Sequence, residues 1–257
     1  MVEIDLSELR GKVVKFEELI ASAMRERLTS SYPIEIVESM LEVWGSRHLN
    51  LSTFLDTYVE SKVFPLDRLE RVMDYLFDVE LETYFIFDVD FGGYNRLTHQ
   101  GFNSSDPANT PHLWLSRLSL EQSLIGKSRI LWERYMNLIL FLEIGVDLDK
   151  KLSKRSSKRT FFSNKFASVN PRWEWLVEYQ PLLDKFDDRL RIPESHKMST
   201  LRERLGLARN FEWQDGGDSP EILTLLNFQV NVMSPDILAI IGGGNAYVRY
   251  GEFPSAF

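Results

Sequence analysis

Arg189, Arg191 and His196 fall together in the run Asp187-Asp188-Arg189-Leu190-Arg191-Ile192-Pro193-Glu194-Ser195-His196-Lys197-Met198-Ser199-Thr200-Leu201-Arg202. Imidazole accepts and returns a proton near neutral pH, so His196 is suited to act as a general base or acid. A guanidinium stays charged and presents a planar fork of donors, which matches the non-bridging oxygens of a phosphate whose charge grows in a transition state. The pairing of these two residue types points to phosphodiester chemistry. Pro193 favours the first turn of a helix through its fixed φ. That places His196 about one turn in and Arg191 on the chain entering it. Arg189 competes with Arg191 for the same role, and spacing does not choose between them. Glu194 and Ser195 are supporting candidates for orienting the imidazole, although an acid at a helix N-terminus is also ordinary helix chemistry.

The remaining polar motifs carry less. Lys150, Lys151, Lys154, Arg155, Lys158 and Arg159 form a basic run followed by Phe161 and Phe162. Lys154, Arg155, Lys158 and Arg159 are the candidate RNA contacts, with a solvated loop as the equal alternative. Asp88 and Asp90 sit one residue apart as hard oxygen ligands do, yet turn acids beside Gly92 and Gly93 account for them better. No metal or other cofactor is expected. Gly242, Gly243 and Gly244 lack the Lys-Ser/Thr that a phosphate loop requires. His99, and His112 after Pro111, fall in what reads as a loop. His48 reads as a surface or capping residue.

Charge and composition bound the rest. A net charge of −8 argues against a general polyanion coat, so any nucleic-acid contact is local. With 44% hydrophobic residues across 257 positions the chain has enough apolar side chain for a packed core. The absence of cysteine excludes disulfides and thiolate sites. Residues 1–30 have no signal-peptide core, and the apolar run from Met136 to Ile144 is too short to span a bilayer. These features predict a soluble, cytoplasmic protein without a membrane segment.

The elements that would position the motif are helical. Val13, Phe16, Leu19, Ile20 and Ala23 predict a helix over 6–28. Pro33 opens a second, with Ile36, Val37, Met40, Leu41 and Trp44 on one face and Gly45 as its end. A third is expected from Ser52 to Lys62, and Pro65 starts a fourth carrying Leu66, Leu69, Val72, Met73 and Leu76. Tyr84 to Val89 reads as a strand from its aromatic and β-branched content. Residues 91–111 are rich in Gly, Asn, Ser and Pro and read as a linker. From Leu113 to Ile144 apolar residues including Leu118, Ile125, Ile130, Leu131, Met136, Ile139, Leu140 and Leu142 predict one long helix capped by Gly145. Glu133 and Arg134, within it, are either paired or exposed. Asn170-Pro171 then opens a helix from Trp173 to Leu190 that Pro181 kinks or interrupts, and its tryptophans read as core. The predicted organisation is an N-terminal helical region at 1–90, the linker at 91–111, a helical core at 112–209 and a C-terminal extension at 210–257. The fold class is mainly α, a helical bundle.

Arg191 with His196, or Arg189 with His196, matches the R-x4-6-H signature of HEPN domains. The stretch from Gln122 to Gly145 (QSLIGKSRILWERYMNLILFLEIG), followed by Lys154 to Phe162, resembles the long helix and basic hairpin of a poorly described bacterial HEPN-like group. The likeness covers about residues 115–206. It implies an α-helical bundle, many of whose members are metal-independent ribonucleases of bacterial defence and toxin systems, with motifs paired across a homodimer. On that resemblance the RNA 2′-hydroxyl attacks the adjacent phosphate, His196 handles the proton and Arg191, with or without Arg189, holds the phosphorane charge. Ile192 departs from the polar residue that often follows the arginine. A catalytically silent HEPN-like module that binds a protein or nucleotide is therefore the alternative.

Overall fold

The computed structural model describes residues 5–30, 32–47, 51–62, 64–86, 111–147, 173 and 180–188. Among them are six α-helices and no strand, so the fold is mainly α. The helices are α1 (Leu6–Thr29), α2 (Ile34–Arg47), α3 (Leu51–Ser61), α4 (Leu69–Tyr84), α5 (Pro111–Ile144) and α6 (Gln180–Phe186). The chain divides into two compact units, 1–81 with 133–177 and 228–249, and 82–132 with 178–227 and 250–257. No helix among the described residues is long and apolar enough to cross a membrane.

In the first unit α1 is set by a side-chain cap and one buried stripe. The Asp5 side chain accepts from the backbone N–H groups of Ser7 (2.8 Å) and Glu8 (3.2 Å), satisfying two of the donors that open α1. Leu9, Val13, Ile20, Met24 and Leu28 then recur at helical spacing on its buried side. Leu19, expected on that side, is exposed, and Phe16 is half-buried with its ring edge on Phe77. The second helix runs through Gly45 to Arg47 instead of ending there. One helical glycine costs about 1 kcal/mol relative to alanine, too little to stop a helix by itself. On α2 Val37 is buried but its expected companion Ile36 is exposed.

Lys62 ends α3 with φ 48°, in the left-handed region, and its N–H donates to the Tyr58 carbonyl at 2.8 Å. The Tyr58 ring packs against Phe64 at 4.5 Å between centroids. Pro65 opens a 3₁₀ turn, Leu66–Arg68, that leads into α4; Leu66 is exposed there, whereas Leu69, Val72, Met73 and Leu76 are fully buried. The opening of α3 is capped from α1, because the Glu17 carboxylate accepts the Ser52 N–H at 2.9 Å and the Ser52 hydroxyl. Glu80 on α4 is 6% exposed. Burial, reinforced by the negative charge of Glu17, pushes its carboxyl up to about 8.

The expected strand at Tyr84 to Val89 is overturned where it is described. Tyr84 is the last residue of α4, and Phe85 and Ile86 continue it as a π-helical turn. Val79, Thr83 and Ile86 are buried at intervals of four and three, a helical burial period that overrides β-propensity. Residues 87–89 lie outside the described residues.

Proline opens α5 at Pro111, where its missing donor is of no consequence. His112 therefore stands in a first helical turn and not in a loop. The helix has 34 residues and rises roughly 50 Å. Leu124, Ile125, Leu131, Trp132 and Met136 are buried along it, while Ile130 is exposed. Its end is Gly145 at φ 68°, whose N–H donates to the Phe141 carbonyl at 2.9 Å. Pro181 lies in the first described turn of α6, where proline is tolerated.

Two stability measurements follow from these environments. A Cβ on Gly145 would stand 2.7 Å from Arg68 Nε at a backbone angle that alanine resists, whereas one on Gly126, mid-helix, meets nothing within 4 Å. Gly145→Ala is expected to lower the urea-derived unfolding free energy by about 1–2 kcal/mol, and Gly126→Ala to raise it by roughly 0.5–1 kcal/mol. The second concerns Glu80. Its folded value near 8 exceeds the ordinary 4.5, so between these the folded state keeps a proton that the unfolded chain has released. Its contribution is complete below pH 4.5 and is lost as pH rises to 8, at about 1.4 kcal/mol per pH unit at most. Denaturant midpoints between pH 5 and 8 are expected to fall with rising pH in the wild type, more steeply than in Glu80→Gln.

Candidate functional site

Arg189, Arg191, Glu194, Ser195 and His196 lie outside the described residues, as do Lys154, Arg155, Lys158 and Arg159. So do His48, His99, Asp88, Asp90 and Gly242 to Gly244. The structure describes the framework from which both candidate segments depart. The motif's first two residues, Asp187 and Asp188, are described, and so is the chain up to Asp147, three residues before Lys150.

In the second unit the centre of α5 engages two helix ends. Lys127 Nζ stands 5.4 Å from the centroid of the Phe85 ring, within cation–π range. Arg129 Nε faces Asp187 Oδ2 at 3.8 Å, with side chains only 14% and 5% exposed. At that separation the contact is an ion pair and not a hydrogen bond. Both helix ends carry π-type turns, at 85–86 and 187–188. Between the two cations Ser128 is buried, its hydroxyl donating to the Leu124 carbonyl at 2.6 Å. Asp187 thus occupies a buried, electrostatically fixed position two residues before Arg189.

In the first unit a different group of side chains fixes the end of α5. Arg68 Nη1 donates to the Leu142 and Glu143 carbonyls, at 3.2 and 3.3 Å, where the helix dipole leaves partial negative charge. Just past the helix, Asp147 accepts the Tyr75 hydroxyl hydrogen bond and stands 3.7 Å from the Arg71 guanidinium, which also lies 4.7 Å from the centre of the Tyr75 ring. Burial, with the bond to Asp147 adding to it, pushes the Tyr75 phenol up to about 12, so it remains a donor throughout the neutral range. Trp173 is buried and donates from its indole nitrogen to Glu143 at 2.7 Å, which makes it a core residue with its polar edge satisfied. Arg134, open between pairing and exposure in the sequence, pairs with Asp78 at 3.1 Å.

These arrangements position and neutralise; no group of three or more His, Cys, Asp or Glu able to hold a metal occurs among the described residues. Sequence reading passed over Arg129 and Asp147 because each is one charged residue among many. The Arg71 and Tyr75 pair did carry a signal, the four-residue spacing that stacks two side chains on one helix face. Comparison of the chain with family models, with curated proteins and with solved structures gives no match.

Burial separates two ion pairs that look alike in sequence. Asp187→Ala removes a counter-charge of a guanidinium that is mostly out of water, whereas Asp56→Ala breaks the Arg10 pair, with side chains 57% and 60% exposed. Chemical denaturation is expected to show a loss of about 3 kcal/mol for the first and under about 1 kcal/mol for the second.

Proposed function

We propose that this protein is a metal-independent endoribonuclease of HEPN type. His196 moves the proton and Arg191, with or without Arg189, stabilises the charge on the phosphorane. Glu194 and Ser195 orient the imidazole, and the basic run containing Lys154, Arg155, Lys158 and Arg159 supplies local RNA contacts. The attacking group is the 2′-hydroxyl, and the product carries a 2′,3′-cyclic phosphate. One imidazole does not easily serve both sides of an in-line displacement, so a homodimer brings a second copy of the motif to the same phosphate. In this reading the protein acts in the cytoplasm, in a bacterial defence or toxin system and with a protein partner from that system.

The observation that carries the reading is the buried contact between Arg129 of the long helix and Asp187. It fixes the residue four positions before Arg191 to the same helix that the family likeness covers. The second reading, a HEPN-like binding module without activity, is favoured by the net charge of −8 and by Ile192 after Arg191.

The two readings separate in one assay. Purified protein is incubated in EDTA with end-labelled tRNA and mRNA beside His196→Ala and Arg191→Ala. The nuclease reading expects cyclic-phosphate-ended fragments from the wild type and a loss of roughly 100-fold or more in both variants. Uncut RNA with all three proteins folded moves the conclusion to the binding module.

A further inference from the structure

We propose that Glu17 and Glu80 form an alkaline-sensitive latch on the opening of α3, with Glu17 as the catch and Glu80 as the group that releases it. The inference is independent of the nuclease reading. It starts from two carboxyls in places that their helices otherwise give to apolar side chains. On α1 the buried positions are Leu9, Val13, Ile20, Met24 and Leu28, and Glu17 fills the gap in that spacing, four residues after Val13 and three before Ile20. On α4 the buried Glu80 follows Val79 and stands four residues after the fully buried Leu76. The Phe16 ring meets Phe77 at 4.9 Å between centroids, one residue before Glu17 and three before Glu80, which joins the two carboxyl-bearing stretches. Glu17 also reaches a third helix. Its carboxylate accepts the Ser52 N–H at 2.9 Å and the Ser52 hydroxyl, where α3 begins.

A second negative charge beside the first is disfavoured, the more so out of water, so the pair accommodates one charge better than two. Glu17 is the member placed to hold it, because the N–H of an opening helix turn and a serine hydroxyl both favour an anion. Glu80 keeps its proton: burial first, and then the charge of Glu17, push its carboxyl up to about 8. Charged side chains farther along these helices are engaged with one another. Lys12 of α1 pairs with Glu8 at 2.8 Å, with Glu70 and Asp74 of α4 adding to its negative surroundings. Arg10 of α1 meets Asp56 of α3, and Arg134 of α5 meets Asp78 of α4 at 3.1 Å. Once Glu80 ionises, the repulsion falls on Glu17, which is half-buried and is the side chain able to turn to water. The Ser52 N–H then loses its acceptor. The fully buried Phe54 and Leu55 keep the rest of α3 docked, so release is confined to its first turn. Because the folded value of Glu80 is raised, the latch is closed below pH 8 and opens as pH climbs past it.

Carbon-detected NMR of the 13C-labelled protein, titrated from about pH 6 to about pH 9.5, follows the side-chain carboxyl carbons together with the Cα shifts of Ser52 and Thr53. In the wild type the Glu80 carboxyl carbon is expected to titrate near 8, and the Ser52 and Thr53 shifts to move from helical toward coil values with the same midpoint. Ser7 and Glu8, whose N–H groups are capped by Asp5 in the same manner, stay constant. In Glu80→Gln and in Glu80→Leu, neither of which can ionise at that position, Ser52 and Thr53 keep their neutral-pH shifts throughout. In Glu17→Gln those two shifts no longer respond to pH, and the Glu80 midpoint falls because one cause of its elevation is gone. Ser52 shifts that ignore the Glu80 titration in the wild type overturn the inference, as do shifts that move with an unchanged midpoint in either Glu80 variant. The wild-type titration can overturn it alone, so the test does not depend on the variants folding.

Discussion

A helix whose buried face is wider than half its circumference has to be covered from more than one side. Between Leu131 and Leu142 the buried residues of α5 are Leu131, Trp132, Tyr135, Met136, Leu138, Ile139, Leu140 and Leu142, which span about 200° of its circumference, while Glu133, Arg134, Asn137 and Phe141 on the remaining arc are half-buried. The Tyr75 ring, 5.6 Å from Phe141, and the indole of Trp173 are answers to that constraint. Such a helix cannot serve as a solvent-facing spacer, and polar contacts hold its end, Arg134 and the stretch around Lys127 and Arg129.

Burial also separates the ways in which charges are used here. Exposed pairs such as Arg25 with Glu38 decorate the outside and add little. The interior ones each answer a specific geometric question. Glu17 closes the opening of α3, Asp147 receives the Tyr75 hydroxyl, and Asp187 meets Arg129. In each case a carboxylate meets a donor or a cation from an element distant in sequence, and the cost of desolvating it makes alternatives unfavourable.

The helices of the first unit were legible because their signals are local: a capping aspartate, prolines at first turns and apolar spacing are all read within a dozen residues. The long helix was legible for the same reason, down to its terminating glycine. Where reading failed, the deciding information was not local. Phe85 and Ile86 have strand propensity, but the burial of Thr83 and Ile86 at helical spacing decides their state. Leu19 and Ile36 fit helical stripes by period, yet which side of a helix is covered depends on neighbours that a period does not name. The motif around Arg191 and His196 was legible as residue types and spacing only. Arg129, the partner of Asp187, has no signature, because a buried cation and a solvated one are spelled alike.

The junction at Arg68 ties a local signal to a distant one. Gly145 adopts its left-handed backbone at little cost, so where α5 stops is decided by one residue. The carbonyls of its last turn, however, are satisfied by a guanidinium that lies 74 and 75 residues earlier in the chain. Contacts of such separation carry the cost of closing the intervening loop. The stop of α5 is thus local, whereas the anchoring of its last carbonyls is not. Any change that loosens the turn leading into α4 therefore returns those carbonyls to water and frees the chain leaving the helix.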